Sequence, residues 1–366
     1  QAGAHEIVSA LHHFKPGQVW TKEAVAERKA MIEHHAGDRT ALRWTIVESI
    51  PIPDDVRRLG KGAKESIKGW IESMQAVAAH DIKTICYNFM PVVDWCRTDI
   101  DWPLPTGATA MRFDADRFAA FDLFILERPQ ASADYDQARI DRAKALYDTM
   151  TPTDIDTLIV NIASALPGST TDPLSIPAFR ARLETYKNID APRLRQHLVE
   201  FLEAVTPVAE NLGVTLTLHP DDPPRPLFGL PRIASTAADY QALFDAVKSS
   251  ANGMCFCTGS LGVRADNDLV AMIRQFADRI HFVHLRATLR EADGSFFESD
   301  HLDGDVDMVS VIKELMTVNN KRGPAHKIPF RPDHGHRMLD DLDKTVTPGY
   351  AAIGRLKGLA ELRGIM

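Results

Sequence analysis

Cysteine is scarce in this chain, and its scarcity excludes several classes of protein. There are four cysteines in 366 residues, and none of them forms a Cys-X-X-Cys pair. Neither a disulfide scaffold nor a zinc ribbon nor a thioredoxin-like redox site is therefore expected. Free cysteines are typical of a reducing compartment, so we expect a cytoplasmic protein. Long apolar runs are also missing, since none approaches the roughly 18 residues of a membrane-spanning helix.

An excess of positive charge is lacking as well. Lys and Arg number 42 and Asp and Glu number 50, which gives a formal net charge of −8. A mildly acidic chain is not suited to nucleic acid or an anionic membrane as its main partner. Hydrophobic residues make up 45% and charged residues 25% of the chain. Both values are ordinary for a globular protein with a sizeable core.

Short apolar segments alternate with helical patterns along most of the chain. This alternation is typical of βαβ units and a parallel sheet. We expect an α/β fold, a (β/α)8 TIM barrel, whose first strand lies before Gln1, because the chain begins without an initiator Met and seven strands are visible. The seven segments are Glu6–Leu11, Arg43–Ser49, Ile82–Phe89, Val214–His219, Gly253–Cys257, Ile280–Arg286 and Ile328–Pro332.

The interval between the third and fourth of these strands is too long for one strand–helix unit. About 125 residues separate Phe89 from Val214, whereas a βαβ unit needs roughly 30. Helical patterns fill this interval. We therefore expect a single barrel domain over residues 1–366 with a helical insertion at about residues 100–190. Barrels with such insertions often dimerise through them, and a homodimer is expected.

Metal-competent side chains follow the ends of several predicted strands, where the active site of a parallel barrel lies. They are His219, Cys257, His284 and Asp333. Strand alternation predicts that Cys257 points into the barrel and that Cys255 lies about 6.6 Å deeper on the same face. Taken singly, a histidine at a strand end is more often a hydrogen-bonded structural group than a ligand, and a buried free cysteine is more often a small core residue. Their succession on one sheet predicts a shared divalent transition-metal site.

Nine further segments, which together span nearly the whole chain, carry a specific combination of motifs. They are ALHH (10–13), VESIP (47–51), CYNFMPVVDWCRTD (86–99), LHPDDPP (218–224), FCTGSLG (256–262), HFVHLR (281–286), HLDGDVDM (301–308), RPDHGH (331–336) and GYAAIGRLKGLAEL (349–362). In these segments the chain resembles the mannonate dehydratase family. The resemblance implies a TIM-barrel lyase that dehydrates D-mannonate to 2-keto-3-deoxy-D-gluconate in hexuronate catabolism.

The resemblance also implies roles for individual residues. His334 and Tyr350 match the acid and base positions of the family, in an order that the sequence leaves open. Mn(II) or Fe(II) is the implied metal. The ligand types alone equally fit Zn(II), which the affinity order favours, so the choice of Mn or Fe rests on the family. The implied ligands are His219, Cys257, His284 and Asp333.

A sugar acid needs partners for its carboxylate and for its hydroxyl groups. Arg286 and Arg97 are candidates for the carboxylate, because a guanidinium group can bind it through two parallel hydrogen bonds. An ion pair within the protein is the alternative for Arg286. Asn88 and His301 are candidates for hydroxyl binding. His12, after the first strand, is a weaker candidate.

Two other functions fit the same barrel. A metal-dependent sugar or sugar-acid isomerase would use a related site, although such sites commonly contain more carboxylates. A sugar-acid binding protein would bind its ligand without turnover. Product analysis separates these alternatives, because only a dehydratase releases water from its substrate.

Overall fold

The computed structural model describes residues 3–34, 42–163 and 174–366. None of the helices in these ranges is long and apolar enough to cross a membrane. The strands, in chain order, are β1 (Glu6–Ser9), β2 (Arg43–Val47), β3 (Thr84–Tyr87), β4 (Asp99–Pro103), β5 (Thr109–Phe113), β6 (Thr215–Leu218), β7 (Asn252–Cys257), β8 (Ile280–Leu285), β9 (Thr288–Arg290), β10 (Phe296–Glu298) and β11 (Phe330–Pro332).

The helices surround the sheet or lie in the long interval after β3. They are α1 (Lys22–Glu33), α2 (Asp54–Arg58), α3 (Ala63–Ala78), α4 (Ala115–Ala120), α5 (Gln137–Thr149), α6 (Pro152–Ala163), α7 (Ile176–Glu184), α8 (Ala191–Leu212), α9 (Ala237–Ala246), α10 (Thr258–Gly262), α11 (Leu269–Gln275), α12 (Met308–Arg322) and α13 (Ala352–Gly364).

Seven parallel strands form the main sheet in the order β1-β2-β3-β6-β7-β8-β11. This is also their order along the chain, and they are the seven segments that the sequence pattern predicts. The α/β fold with a curled parallel sheet is therefore confirmed. β1 and β11 lie at the two ends of the sheet. The strand expected before Gln1 lies outside the described residues and stays a prediction.

The two faces of the parallel sheet bury different side chains, as expected for barrel strands that are covered on both sides. The outer face contributes Leu216, Leu218, Met254 and Phe256 to the large core shared with the helices. The inner face holds a smaller cluster of Ile46, Cys86, Cys255 and Phe282. Cys255 thus lies inside the sheet, where strand alternation predicts it.

Residues 100–190 contain more than helices. α4 to α7 include residues of this interval, but the chain also forms β4 and β5 there. These two strands pair with β10 and β9 in a four-stranded antiparallel sheet of the order β4-β5-β10-β9. The rings of Phe113 in β5 and Phe296 in β10 stack at 5.5 Å. This small sheet therefore joins the interval after β3 to the chain segment after β8.

Four aromatic rings connect α3 and α8 to the main sheet. Phe201 of α8 lies 5.1 Å from Trp70 of α3, 5.7 Å from Tyr87 of β3 and 6.2 Å from Phe89, measured between ring centroids. Phe201 is fully buried. Edge-to-face and tilted ring pairs at these distances add to the free energy gained by burial.

We predict that Phe201→Ala destabilises the protein by about 3–5 kcal/mol, since it removes a buried ring and leaves a cavity among three others. Urea denaturation followed by circular dichroism measures the change. Leu339→Ala is the matched control, because Leu339 is 71% exposed and its truncation is expected to cost about 0.5 kcal/mol or less. Equal urea midpoints for Phe201→Ala and the parent would contradict the packing of Phe201 against the three neighbouring rings.

Candidate active site

Three of the four predicted metal ligands lie together at the carboxyl ends of neighbouring strands. His219 follows β6, Cys257 ends β7 and His284 belongs to β8. One ligand atom from each residue lies within 4.8 Å of the other two. Cys257 stands directly opposite His284 in the β7–β8 register. Parallel pairing of three consecutive strands therefore brings these donors to one point, which we call the His-Cys-His cluster.

The ring nitrogens of the cluster suit a metal ion. Both nitrogens of His284 are buried and make no hydrogen bond to the described residues. An imidazole in that state is costly unless another group binds it. His219 donates from Nδ1 to the carbonyl oxygen of Pro220 at 2.7 Å. Such a bond fixes the tautomer and leaves Nε2 for a metal.

The electrostatics around Cys257 favour the thiolate, the form that binds metals. Burial alone would raise the pKa of Cys257, but Arg286 and His219 outweigh burial and lower it. Burial likewise lowers the pKa of His219, yet the hydrogen bond and charge of Cys257 raise it to about 10. Cys255 differs, because burial and Cys86 raise its pKa well above the usual value. The electrostatics therefore favour Cys257 over Cys255 as a ligand, and its role as a ligand stays a prediction.

Asp333 follows β11 and lies at the edge of the His-Cys-His cluster without belonging to it. Its Oδ2 is 3.5 Å from Nδ1 of His284, and its Oδ1 is 2.8 Å from the guanidinium of Arg331. Burial would raise the pKa of Asp333, but His334 and Arg331 outweigh it and lower the pKa well below its usual value. Asp333 is thus ionised beside the cluster, and its role as a fourth ligand stays a prediction.

His334 and Tyr350 meet next to Asp333. Their ring centroids lie 5.6 Å apart in an edge-to-face arrangement. His334 has a φ of 57°, a left-handed conformation that is uncommon outside glycine and is enriched at functional sites. Burial raises the pKa of the Tyr350 phenol. The structure therefore brings the two predicted catalytic residues into contact.

Arg97 and Arg286 belong to a buried network of ion pairs. Arg97 lies 2.6 Å from Asp222 and 2.7 Å from Glu298. Arg286 lies 2.7 Å from Asp222 and 3.2 Å from Glu298. These four side chains are almost fully buried. These contacts agree with the alternative in which Arg286 forms ion pairs within the protein. Binding of a substrate carboxylate by Arg97 or Arg286 stays a prediction.

Sequence reasoning missed Glu298 as a site residue. Its Oε1 lies 3.3 Å from Nδ1 of His334, in addition to its contacts with the two arginines. Burial would raise the pKa of Glu298, but Arg286 and His334 outweigh it and lower the pKa to about 2. Glu298 lies in β10, a strand of three residues, and no local pattern marks it.

The other predicted substrate-binding residues lie in three places. Asn88 follows β3 and is buried. His301 is buried against Gly358 of α13, and its Nδ1 is 3.9 Å from Glu361. His12 follows β1 and lines a cavity of about 1370 Å³ together with Glu48, Arg331 and Tyr350. This cavity lies between β1 and β11, the two end strands of the main sheet, and no residue of the His-Cys-His cluster lines it.

Comparison of the sequence with known protein families identifies the family of this chain. The family model of D-mannonate dehydratase (UxuA) matches residues 1–366.

The chain belongs to the mannonate dehydratase family.

Relatives from three bacteria show how similar the chain is to other members of this family. The mannonate dehydratase of Brucella canis is 64% identical over 367 residues, which cover 100% of this chain and 92% of that protein. The mannonate dehydratase of Chromohalobacter salexigens is 52% identical over 371 residues, covering 100% and 93%. A crystal structure of mannonate dehydratase from Streptococcus suis serotype 2 is 30% identical, with a TM-score of 0.75 over 99% of this chain and 87% of that one. The resemblance found in the sequence is confirmed.

We predict that Cys257→Ser abolishes stoichiometric binding of Mn(II) or Co(II) to the metal-stripped protein, because the substitution removes the thiolate from the His-Cys-His cluster. Calorimetric titration measures the affinity, and the sulfur-to-cobalt charge-transfer absorption reports the thiolate directly. Cys255→Ser is the matched control, since Cys255 lies on the same face of β7 but deeper, and it should bind both ions as the parent does. Retained stoichiometric binding by Cys257→Ser would refute Cys257 as a ligand.

Proposed function

We propose that this mannonate dehydratase family member converts D-mannonate to 2-keto-3-deoxy-D-gluconate and water at a divalent metal ion, Mn(II) or Fe(II). The observation that carries the proposal is the His-Cys-His cluster at the ends of three neighbouring strands, in a chain that matches the family over its whole length. The ligands we assign are His219, Cys257, His284 and Asp333.

The reaction removes the proton on C2 and expels the hydroxyl group on C3. The C2 proton is weakly acidic beside a carboxylate, and hydroxide is a poor leaving group, so a base and an acid are both required. When bound, a divalent cation supplies Lewis-acid stabilisation of the negative charge that develops next to the carboxylate. The enol that remains gains a proton at C3 and becomes the 2-keto product.

We assign the two proton transfers to His334 and Tyr350. Burial raises the pKa of the Tyr350 phenol, so Tyr350 keeps its proton at neutral pH and suits the donor to the departing hydroxyl. His334 then accepts the C2 proton, a role that an imidazole fills near neutral pH. Two groups lie 3.3 Å from Nδ1 of His334, the Oε1 of Glu298 and the guanidinium of Arg286. In the assigned role Nδ1 donates to Glu298, which leaves Nε2 free to accept the proton.

The cytoplasmic location and the homodimer stay predictions. The isomerase alternative differs in its product, which would retain the water that a dehydratase releases. The family match favours dehydration.

Metal dependence gives the first prediction for this function. Protein stripped of metal by a chelator should form no 2-keto-3-deoxy-D-gluconate from D-mannonate, and added Mn(II) or Fe(II) should restore its formation. Product is measured by chromatography against an authentic standard. An isomer of unchanged mass would support the isomerase instead. Recovery of unchanged D-mannonate from protein with confirmed metal content would contradict dehydration of this substrate.

The proton-transfer assignment gives a second prediction. We expect His334→Gln and Tyr350→Phe each to lower kcat by about 10²- to 10⁴-fold, the usual contribution of a positioned acid or base. Both variants should still bind Mn(II) stoichiometrically, since neither residue is an assigned ligand. Steady-state kinetics at saturating Mn(II) measure the effect. A variant that keeps the parent kcat would remove that residue from the mechanism.

A further inference from the structure

The segment directly after Cys257, residues 258–260, packs against Arg286, and the proposed mechanism uses none of its residues. Thr258 fixes the backbone of Arg286, since its Oγ1 accepts a hydrogen bond from the backbone nitrogen at 2.8 Å and donates one to the carbonyl oxygen at 2.6 Å. A Cβ atom on Gly259 would lie 2.0 Å from Nε of Arg286. This segment therefore holds Arg286 close to Cys257.

Ser260 ends this segment, three residues beyond Cys257. Residues three apart on a helix are neighbours, and α10 therefore brings the Ser260 hydroxyl back to the sulfur. Its Oγ is 3.3 Å from Sγ of Cys257, and it is also 3.0 Å from Oδ2 of Asp222 and 3.1 Å from Nη2 of Arg286. Both Ser260 and Cys257 are fully buried. The hydroxyl thus contacts a sulfur atom, a carboxylate and a guanidinium group away from bulk water.

The hydroxyl of Ser260 has a single hydrogen to donate. Arg286 has donors only, so it occupies a lone pair of Oγ and leaves the hydrogen for Asp222 or Cys257. Asp222 accepts hydrogen bonds from Arg97 at 2.6 and 3.3 Å and from Arg286 at 2.7 Å. The charge of this carboxylate is therefore compensated without the hydroxyl, whose hydrogen is free to point at the sulfur.

The sulfur of Cys257 has fewer donors around it than that carboxylate has. Its other hydrogen-bond partner is His219, an assigned metal ligand whose Nε2 would bind the ion. Among the hydrogen bonds of the described residues, Ser260 is then the donor that remains for the thiolate. A hydrogen bond to an ionised acceptor is stronger than one between neutral groups, and the partners of metal ligands determine how those ligands are oriented.

We propose that Ser260 is a positioning residue of the metal site, whose hydroxyl donates a hydrogen bond to the Cys257 thiolate and holds the sulfur in place for the ion. This inference rests on the proposed function, since it requires Cys257 to be a ligand. Ser260 acts through Cys257 and does not bind the ion itself. It also connects the metal site to the buried ion pairs, because the same oxygen accepts a hydrogen bond from Arg286.

The absorption spectrum of the Co(II)-loaded protein tests this hydrogen bond directly. A hydrogen bond lowers the energy of the sulfur lone pairs, so more energy is needed to transfer an electron from sulfur to cobalt. Ser260→Ala should therefore move the charge-transfer band to longer wavelength. It should also weaken Mn(II) binding about 10- to 100-fold, the usual loss when the partner of a metal ligand is removed. Calorimetric titration of the metal-stripped protein measures this affinity.

Two further variants provide the comparison. Ser260→Thr keeps the hydroxyl, so it should retain the parent band and bind Mn(II) more tightly than Ser260→Ala does. Ser235→Ala is the matched control, because Ser235 is buried and uses its one hydroxyl hydrogen on Asp221, at 2.7 Å. It should leave both the band and the Mn(II) affinity at the parent values.

A purely structural role for Ser260 predicts a different result. Loss of its contacts with Asp222 and Arg286 would lower the urea midpoint of Ser260→Ala and leave the charge-transfer band at the parent wavelength. A band that stays at that wavelength in Ser260→Ala, or a Mn(II) affinity equal to that of the parent, would overturn the inference.

The two proposals fail in different ways. A parent protein that shows the sulfur-to-cobalt band, but does not dehydrate D-mannonate when loaded with Mn(II) or Fe(II), overturns the proposed function and leaves the role of Ser260 standing. A parent that dehydrates D-mannonate and shows the band, together with the same band in Ser260→Ala, overturns the role of Ser260 alone. A parent without the band removes Cys257 from the ligands and overturns both assignments.

Discussion

The arrangement of the site depends on how buried charges are compensated at the carboxyl end of the parallel sheet. Arg286 reaches Asp222, Glu298 and Asp333, all within 3.5 Å. A buried charge that loses its partner costs several kcal/mol, so each member of such a network fixes the position of the others. Two members of this network act on the site directly. Arg286 favours the thiolate form of Cys257, and Glu298 orients the ring of His334.

The main sheet could be predicted from the sequence because its strands are continuous apolar segments that pair in chain order. Alternation with a period of two then assigned Cys255 and Cys257 to the inner face. The small antiparallel sheet could not be predicted, because β9 and β10 have three residues each. Segments of that length have no periodicity, and the pairing of β10 with β5 joins residues about 180 positions apart.

Some residues of the candidate site could likewise be predicted from the sequence, and others could not. The donors at strand ends could be predicted, since the end of a strand in a parallel sheet determines where its next side chain lies. Asp333 was found by the same reasoning, although its carboxylate lies beside the cluster and not within it. Glu298 could not be predicted, because it lies in a strand of three residues, which leaves no regular pattern in the sequence.

The ion pair between Arg97 and Glu298 spans 201 positions of sequence, and it has a consequence for folding. Contacts of such separation form late, because the entropy of closing a long loop must be overcome before they contribute any stability. On the ribosome, Arg97 leaves the exit tunnel long before its second carboxylate partner has been synthesised. Until then a nascent chain carries this arginine with only Asp222, or with water, as its partner. The order of synthesis therefore makes the completed site one of the last parts of the protein to form.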